Sequence, residues 1–195
     1  MKVSRTLLAL AAFLVFTIGC ANVPDPPDYG PFMAANPHSV LVVPVLNNSP
    51  EVTAADYFLA TISVPLAERG YYVFPVNMSR ELLADSGLSD PGLVHGAHAT
   101  EIASLFGADT VLFVTITNWE AKYLVLGTTV TVGFEYVLKD GRNGDTLWSS
   151  SQVMNYTPAT QNSGNAIANL IIMAVQAAVT KALPNYIPLA RQVTG

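Results

Sequence analysis

The sequence predicts an α/β domain whose mixed sheet has about five strands, with a parallel N-terminal part and an antiparallel C-terminal hairpin, covered by helices. Residues 38–76 show a strand, helix, strand order, and in a unit of this length the two strands pair in parallel through a right-handed crossover. Residues 128–139 then alternate strictly between apolar and polar side chains, which is typical of a strand with one covered face.

The chain begins with the pattern of a signal peptide. Lys2 and Arg5 precede an uncharged apolar run over residues 7–18. At about 1.5 Å per residue this run makes a helix of about 18 Å, which is shorter than the roughly 30 Å core of a bilayer. We therefore interpret residues 1–19 as a cleaved signal peptide and not as a spanning helix.

The only cysteine of the chain, Cys20, follows this apolar run directly. The pair Gly19 and Cys20 resembles the cleavage site of bacterial lipoproteins, which implies a cut between them and acyl chains such as palmitate on Cys20. Two or more chains anchor a protein stably, because each buried methylene contributes about 0.8 kcal/mol. Thr17 stands where leucine is usual, so a cut after Ala21 by an ordinary secretory peptidase stays open as an alternative.

Residues 20–37 are predicted to be the lipidated cysteine and a proline-rich tether, and residues 38–195 a single periplasmic domain. The segment after Cys20 shows neither apolar period and repeats proline. At about 3 Å per residue, a mostly extended leash of this length reaches on the order of 50 Å. Because Ala21 and not aspartate follows Cys20, the pattern favours the outer membrane over retention at the inner one.

The acidic charge of the chain excludes one class of partner. The sequence has 9 basic and 14 acidic residues, and cleavage of the signal peptide removes Lys2 and Arg5. A protein of this charge lacks the cationic face that binding to a phosphate backbone requires. We therefore expect no nucleic-acid partner.

The remaining elements follow from local patterns. A continuous apolar run predicts a buried strand over 38–46, and helical spacing from Ala55 to Leu66, ended by Gly70, predicts a helix that Pro65 kinks. The rest of the chain predicts a strand over 71–76, short helices over 78–86 and 97–106 joined by a loop, a strand over 109–119, a turn over 140–145, a returning strand over 146–156 and a covering helix over 165–183.

Chemical motifs are few, and no catalytic residue or cofactor is predicted. The strong patterns for serine hydrolases, nucleotide binding and structural zinc are all missing from the sequence. His95, His98 and Glu101 have a spacing that would let them meet one metal ion on a helix, but Gly96 disfavours a regular helix, so no metal site is predicted.

A second candidate site lies after the first strand. Asn47, Asn48 and Ser49 follow it, and α/β sheets place ligands in a cleft at the carboxyl ends of their parallel strands. The same three residue types are common in turns. A ligand cleft at Asn47, Asn48 and Ser49 is therefore an alternative hypothesis beside a plain turn.

Four segments of the sequence resemble one family: "SVLVVPVLNNSPEVTAADYFLATISVPLAERGYYVFPV", "GLSDPG", "LFGADTVLFVTITNW" and "GDTLW". The chain resembles a family of bacterial outer-membrane lipoproteins of unknown function, which includes a surface antigen found by genome-based vaccine screening. The resemblance implies a domain similar to the N-terminal domain of the translocation protein TolB and to curli-secretion-type lipoproteins. It implies no catalytic residue, and it suggests a curli-secretion-type lipoprotein as a partner.

These observations favour a lipid-anchored, non-enzymatic adaptor subunit of an envelope secretion, transport or wall-assembly machinery. We expect it in the outer membrane, attached through Cys20, with its domain facing the periplasm. A periplasmic binder of small ligands or a hydrolase, using the cleft at the strand ends, is the alternative. A homodimer contact through the helix over 165–183, and a pore subunit built with the alternating hairpin, also stay open.

Overall fold

The computed structural model describes residues 28–124 and 127–156. The predicted helix over 165–183, the signal peptide and Cys20 lie outside these ranges. The described helices are α1 (Gly30–Ala35), α2 (Ala54–Ala67), α3 (Val76–Asp85), α4 (Pro91–Gly96) and α5 (Ala99–Phe106). The strands are β1 (Ser39–Val42), β2 (Leu46–Asn47), β3 (Tyr72–Val73), β4 (Thr110–Leu124), β5 (Gly127–Asp140) and β6 (Thr146–Tyr156).

The described strands form one mixed sheet in the order β3, β1, β4, β5, β6, with β2 also paired to β4. β1 lies parallel to β3 and to β4, with Val40 opposite Val73 and Thr110. β4, β5 and β6 are antiparallel to one another. The predicted fold class is therefore confirmed, with six strands in place of about five.

The predicted strand over 38–46 divides into β1 and β2 because Pro44 interrupts it. Proline has no backbone N–H to donate to a ladder, so pairing breaks around it. The N–H of Val43 still donates to Leu112 of β4 at 3.3 Å, and β2 resumes with Leu46 opposite Thr115. The break sets the backbone around Pro44 at the carboxyl end of β1, where the candidate site lies.

Helices cover both faces of the sheet. On one face Phe32 of α1 and Phe58 of α2 belong to a cluster with Val40 and Val42 of β1. On the other face α3, α4 and α5 pack over Leu41, and their buried residues in this second cluster are Leu83, Val94, Ala99, Ile102 and Ala103. Because consecutive residues of β1 face opposite clusters, Val40, Leu41 and Val42 form an unbroken apolar run.

Helix α1 lies within the segment that the sequence predicts as an extended tether. Phe32 is fully buried, and its ring lies edge-on to Tyr71 with 6.4 Å between the ring centroids. The side chain of Arg142 also donates a hydrogen bond to the carbonyl of Ala35 at 3.3 Å. The prediction of an extended chain is therefore wrong for Gly30–Ala35, because this short helix is held by the core and not by its own period.

Two further differences concern proline. The predicted strand over 71–76 shortens to β3, since Pro75 stands immediately before α3 and cannot donate to a ladder. The predicted loop between the helices over 78–86 and 97–106 contains α4, which has Pro91 in its first turn. Asp90 caps this helix, because its Oδ1 accepts hydrogen bonds from the N–H groups of Gly92 at 2.8 Å and Leu93 at 3.3 Å.

A polar network joins β1 to β4 at their start. Asp109 Oδ2 accepts hydrogen bonds from the backbone N–H groups of His38 and Ser39, both at 2.9 Å, and from the Ser39 hydroxyl at 3.0 Å. Burial raises the pKa of the Asp109 carboxyl, but these hydrogen bonds lower it more, so its pKa lies below the usual value. The network fixes the register of the central parallel pair.

The pairing of β4 with β5 shifts its register at a bulge between Ile116 and Asn118 of β4. Gly133 of β5 lies against it. A Cβ atom at Gly133 would be 2.5 Å from the Thr117 hydroxyl oxygen and 3.2 Å from the Cβ of Asn118. The close approach of the two strands therefore requires glycine at this position.

Candidate functional site: a cleft at the carboxyl end of β1

A cleft of about 210 Å³ lies where β1 ends and α2 and α3 begin. Pro44 and Val45 come from the break after β1, and Ser89 comes from the connection between α3 and α4. The other lining residues come from α2, α3 and the first turn of α4: Ala55, Asp56, Leu59, Arg80 and Pro91. Ligands of open α/β sheets bind at this edge, so the position of the cleft agrees with the general rule.

Two opposite charges line the cleft. Arg80 Nη1 lies 3.6 Å from Asp56 Oδ1, and the two side chains are 65% and 74% exposed. At this distance and exposure the ion pair adds little to stability, since solvent-exposed pairs contribute about 0 to 1 kcal/mol. Asp56 and Arg80 therefore both line the cleft without forming a strong ion pair with each other.

Asp56 and Arg80 meet because of the parallel topology. Each helix that follows a parallel strand begins at the carboxyl edge of the sheet, so the first turns of α2 and α3 converge there. Asp56 lies in the first turn of α2, and Arg80 lies one turn into α3. No local motif marks either residue for this site, although the predicted order of strands and helices indicates that both helices begin at this edge.

Asn47, Asn48 and Ser49 are not among the lining residues of the cleft. Asn47 Oδ1 accepts hydrogen bonds from the Ser49 N–H at 3.0 Å and the Ser49 hydroxyl at 2.6 Å, while its Nδ2 donates to the Glu51 carbonyl at 2.7 Å. The N–H of Asn48 donates to Ile116 at 2.9 Å. The structure therefore places these residues in a turn that closes on itself and on β4.

The three metal candidates lie on different elements. His95 is in the last turn of α4, His98 is the residue before α5, and Glu101 is in the first turn of α5 and exposed. Within residues 28–124 and 127–156, no group of three or more His, Cys, Asp or Glu side chains is placed to hold a metal ion. The geometry gives no support to a metal site at these residues.

His95 instead packs beside the cleft. Its Nε2 lies 3.1 Å from the carbonyl oxygen of Pro44, and its ring lies edge-on to Phe113 with 5.4 Å between the centroids. Burial lowers the pKa of His95, and the hydrogen bond to Pro44 raises it by less, so its pKa lies below the usual value. The ring of His95 therefore packs against the backbone break that follows β1.

This lowered pKa predicts a pH dependence of stability. The unfolded chain binds a proton at this histidine more readily than the folded chain does, so stability is full above about pH 6.5 and falls as the pH drops below it. The free energy of unfolding of the wild type is expected to fall between about pH 7 and pH 5 more steeply than that of His95→Gln, by up to roughly 1.4 kcal/mol per pH unit. Urea unfolding at a series of pH values measures both slopes.

His98→Gln is the matched control, because His98 is exposed at the start of α5. We expect this variant to keep the slope of the wild type. The lowered carboxyl pKa values of Asp109 and Asp140 act in the more acidic range, outside this window. Equal slopes for the wild type and His95→Gln would contradict the prediction.

The fold and the site define a class: an α/β domain with helices on both faces of a mixed sheet and a small charged cleft at the carboxyl end of its first strand. No helix within residues 28–124 and 127–156 has the length and apolar character needed to cross a bilayer. The chain belongs to the family described as "Putative lipoprotein GNA1162-like", whose model matches residues 27–194. This match confirms the resemblance seen in the sequence.

A curated protein and a crystal structure from Neisseria meningitidis support this assignment. The curated protein "Putative lipoprotein NMB1124/NMB1162" of serogroup B is 35% identical over 171 residues, which cover 87% of this chain and 78% of the relative. The crystal structure of lipoprotein GNA1162 is 34% identical and superposes with a TM-score of 0.62, covering 74% of this chain and 99% of that chain. The chain is thus similar to lipoproteins along most of its length, and this family places it in the cell envelope.

A more distant structure shares the fold alone. The PelC dodecamer from Paraburkholderia phytofirmans has 19% sequence identity and a TM-score of 0.52, covering 74% of this chain and 86% of that chain. At this identity the likeness shows that the same α/β architecture occurs in another protein. It carries no assignment of activity.

Proposed function

We propose that this protein is a lipid-anchored, non-enzymatic adaptor of the outer membrane, attached through Cys20 with its domain in the periplasm. It works by contact with other subunits of an envelope secretion, transport or wall-assembly machinery. The lipoprotein family supports the anchor and the envelope. The partners to seek are envelope proteins, among them a curli-secretion-type lipoprotein or a second copy of this chain.

The outward side of α2 is the observation that carries this proposal. Tyr57 and Val64 are 51% and 57% exposed on this side, two turns apart, and Ala60 between them is also exposed. Asp56 is the only charged residue among the residues of α2. A helix that is apolar nearly all round is normally covered on all sides. This uncovered side, which we call the α2 face, is therefore suited to contact a partner.

The chemistry of the cleft agrees with contact rather than reaction. Its lining residues include one hydroxyl, Ser89, one carboxylate, Asp56, and one guanidinium, Arg80, with no histidine, cysteine or lysine. Asp56 and Arg80 are both largely exposed and charged. A hydroxyl nucleophile such as Ser89 needs an activating base beside it, and no histidine of the described residues lines the cleft. Binding is the chemistry that this lining supports best.

A pair of matched valines tests the proposal. Val64 on the α2 face and Val153 on β6 are 57% and 63% exposed. A photo-crosslinking residue at position 57 is expected to capture discrete envelope proteins in cells, and Val64→Lys is expected to abolish this capture. Val153→Lys is expected to leave the capture unchanged, because it adds the same charge away from the α2 face.

Substitutions at exposed sites usually change stability by less than about 0.5 kcal/mol, so both lysine variants are expected to fold. Melting temperatures of the two variants check this expectation. Capture that survives Val64→Lys, or that is lost equally in both variants, would rule out the α2 face as the contact surface.

A further inference from the structure

We propose that the cleft between α2 and α3 binds the carboxyl end of a peptide whose last residue is small and apolar. The ligand's carboxylate pairs with Arg80, its last peptide N–H donates to Asp56, and its last side chain rests on the floor of the cleft. This site goes beyond the adaptor function and does not depend on lipid attachment. The proposal assigns one class of ligand, the carboxyl end of a peptide, to the charged cleft.

Arg80 is available to a carboxylate. Its guanidinium has five N–H donors in a planar fork that matches a carboxylate. Within the described residues its ion contact to Asp56 is 3.6 Å long, which is longer than a hydrogen bond. Arg80 is therefore held at the cleft with its donors unused by the part of the protein that the structure describes.

Asp56 restricts the kind of anion that Arg80 accepts. A carboxylate beside the guanidinium repels a ligand that carries several negative charges, such as a phosphate. It attracts a ligand that presents a hydrogen-bond donor next to its own single negative charge. The end of a peptide has this pattern, since its last N–H and its terminal carboxylate are attached to the same Cα atom.

The floor and the size of the cleft determine which side chain the last residue of the ligand can have: it must be apolar and small. Pro44, Val45 and Leu59 supply apolar surface, and Val45 is itself only 2% exposed. The volume of about 210 Å³ is below the range of roughly 300–1,000 Å³ that is typical of sites for drug-sized ligands. The cleft therefore accommodates the end of a chain with a small residue such as alanine, and not a large ligand.

Two sources in the envelope share this chemistry: the C-terminus of a protein, which ends in an L-residue, and the stem peptide of the cell wall, which ends in D-alanine. The test uses fluorescein-labelled Gly-Ala-Ala in three forms, with a free L-carboxylate, with a free D-carboxylate and with a C-terminal amide. Fluorescence anisotropy of each probe is measured with the full-length protein purified in detergent. The label blocks the N-terminus, so only the carboxyl end differs.

The wild type is expected to bind at least one free carboxylate probe with a millimolar or tighter Kd, about tenfold more tightly than the amide. Arg80→Gln is expected to remove this difference. Arg69→Gln, the same change two residues after α2 ends and away from the cleft lining, is expected to retain it. Tighter binding of the D-probe indicates the wall peptide as the source, and tighter binding of the L-probe indicates a protein C-terminus.

Equal binding of the acid and amide forms would overturn the proposal, as would wild-type binding of the acid that Arg80→Gln leaves unchanged. Absence of binding up to about 10 mM would do the same. The comparison of acid with amide uses the wild type alone, so it holds even if a variant fails to fold. None of these results depends on the α2 face or on Cys20, so the adaptor function is judged separately.

Discussion

Phe58→Ala is expected to lower the free energy of unfolding by about 3–5 kcal/mol, because it opens a cavity between α2 and the sheet. Phe58 is fully buried. The centroid of its ring lies 5.4 Å from that of Phe134 and 6.1 Å from that of Tyr136, both on β5. These contacts join the parallel half of the molecule to the antiparallel half. Because domains are stable by only about 5–15 kcal/mol, this loss removes a large share of the total.

Equilibrium unfolding of the full chain in urea measures the change, and Val64→Ala on the exposed side of α2 is the control. Val64 is 57% exposed, so its truncation is expected to change the free energy of unfolding by less than about 0.5 kcal/mol. Similar losses for Phe58→Ala and Val64→Ala would show that α2 does not depend on its buried face.

Cys20→Ala is expected to remove every acyl chain from the protein, and this change has the largest expected effect on its location. Each buried methylene contributes about 0.8 kcal/mol, so the loss of two or more chains abolishes stable anchoring through the lipid. Intact mass of the protein extracted from membranes measures the result. The wild type is expected to show a chain that begins at Cys20 and carries acyl chains.

Ala21→Ser provides the matched control, because it changes the neighbouring small residue and keeps the thiol of Cys20. We expect this variant to retain the acyl mass. A wild-type mass that corresponds to a chain starting at Asn22, without acyl groups, would instead establish the cut after Ala21. Proteins that copurify with the wild type and not with Cys20→Ala would identify partners that depend on the anchor.

Elements with a strong period were predictable from the sequence. The alternation from Val130 to Leu138 defines β5, and the apolar spacing from Ala55 to Leu66 defines α2. Both patterns are long enough to outweigh local exceptions such as Pro65. The mixed sheet followed from these elements because short connections leave few topologies.

Short elements were not predictable in the same way. Helices α1 and α4 have six residues each, fewer than an isolated helix needs to be stable in water. Phe32 holds α1 through the core, and Asp90 holds α4 through its cap, although the Asp-Pro pair before α4 was a readable signal. The hydrogen bonds between Asp109 and Ser39 join residues that are far apart in the chain, so no local sequence pattern predicts them.

The location of the candidate site was predictable from the sequence, but its residues were not. Its location at the carboxyl end of β1 follows from the predicted parallel strands and a general rule. Its residues do not, because the meeting of Asp56 with Arg80 depends on how two helices pack. Asn47 and Ser49 had the right position in sequence but satisfy their hydrogen bonds within the turn.

Helix α1 has a consequence for how often the anchored domain meets a partner. Under the proposed attachment at Cys20, the packing of Tyr29 and α1 against the core leaves residues 21–28 as the span between lipid and domain. At about 3 Å per residue this span reaches roughly 24 Å, against about 50 Å for a tether that continues to residue 37. Because effective concentration falls roughly as the −3/2 power of tether length, the shorter span raises the effective concentration of a partner tethered nearby about threefold.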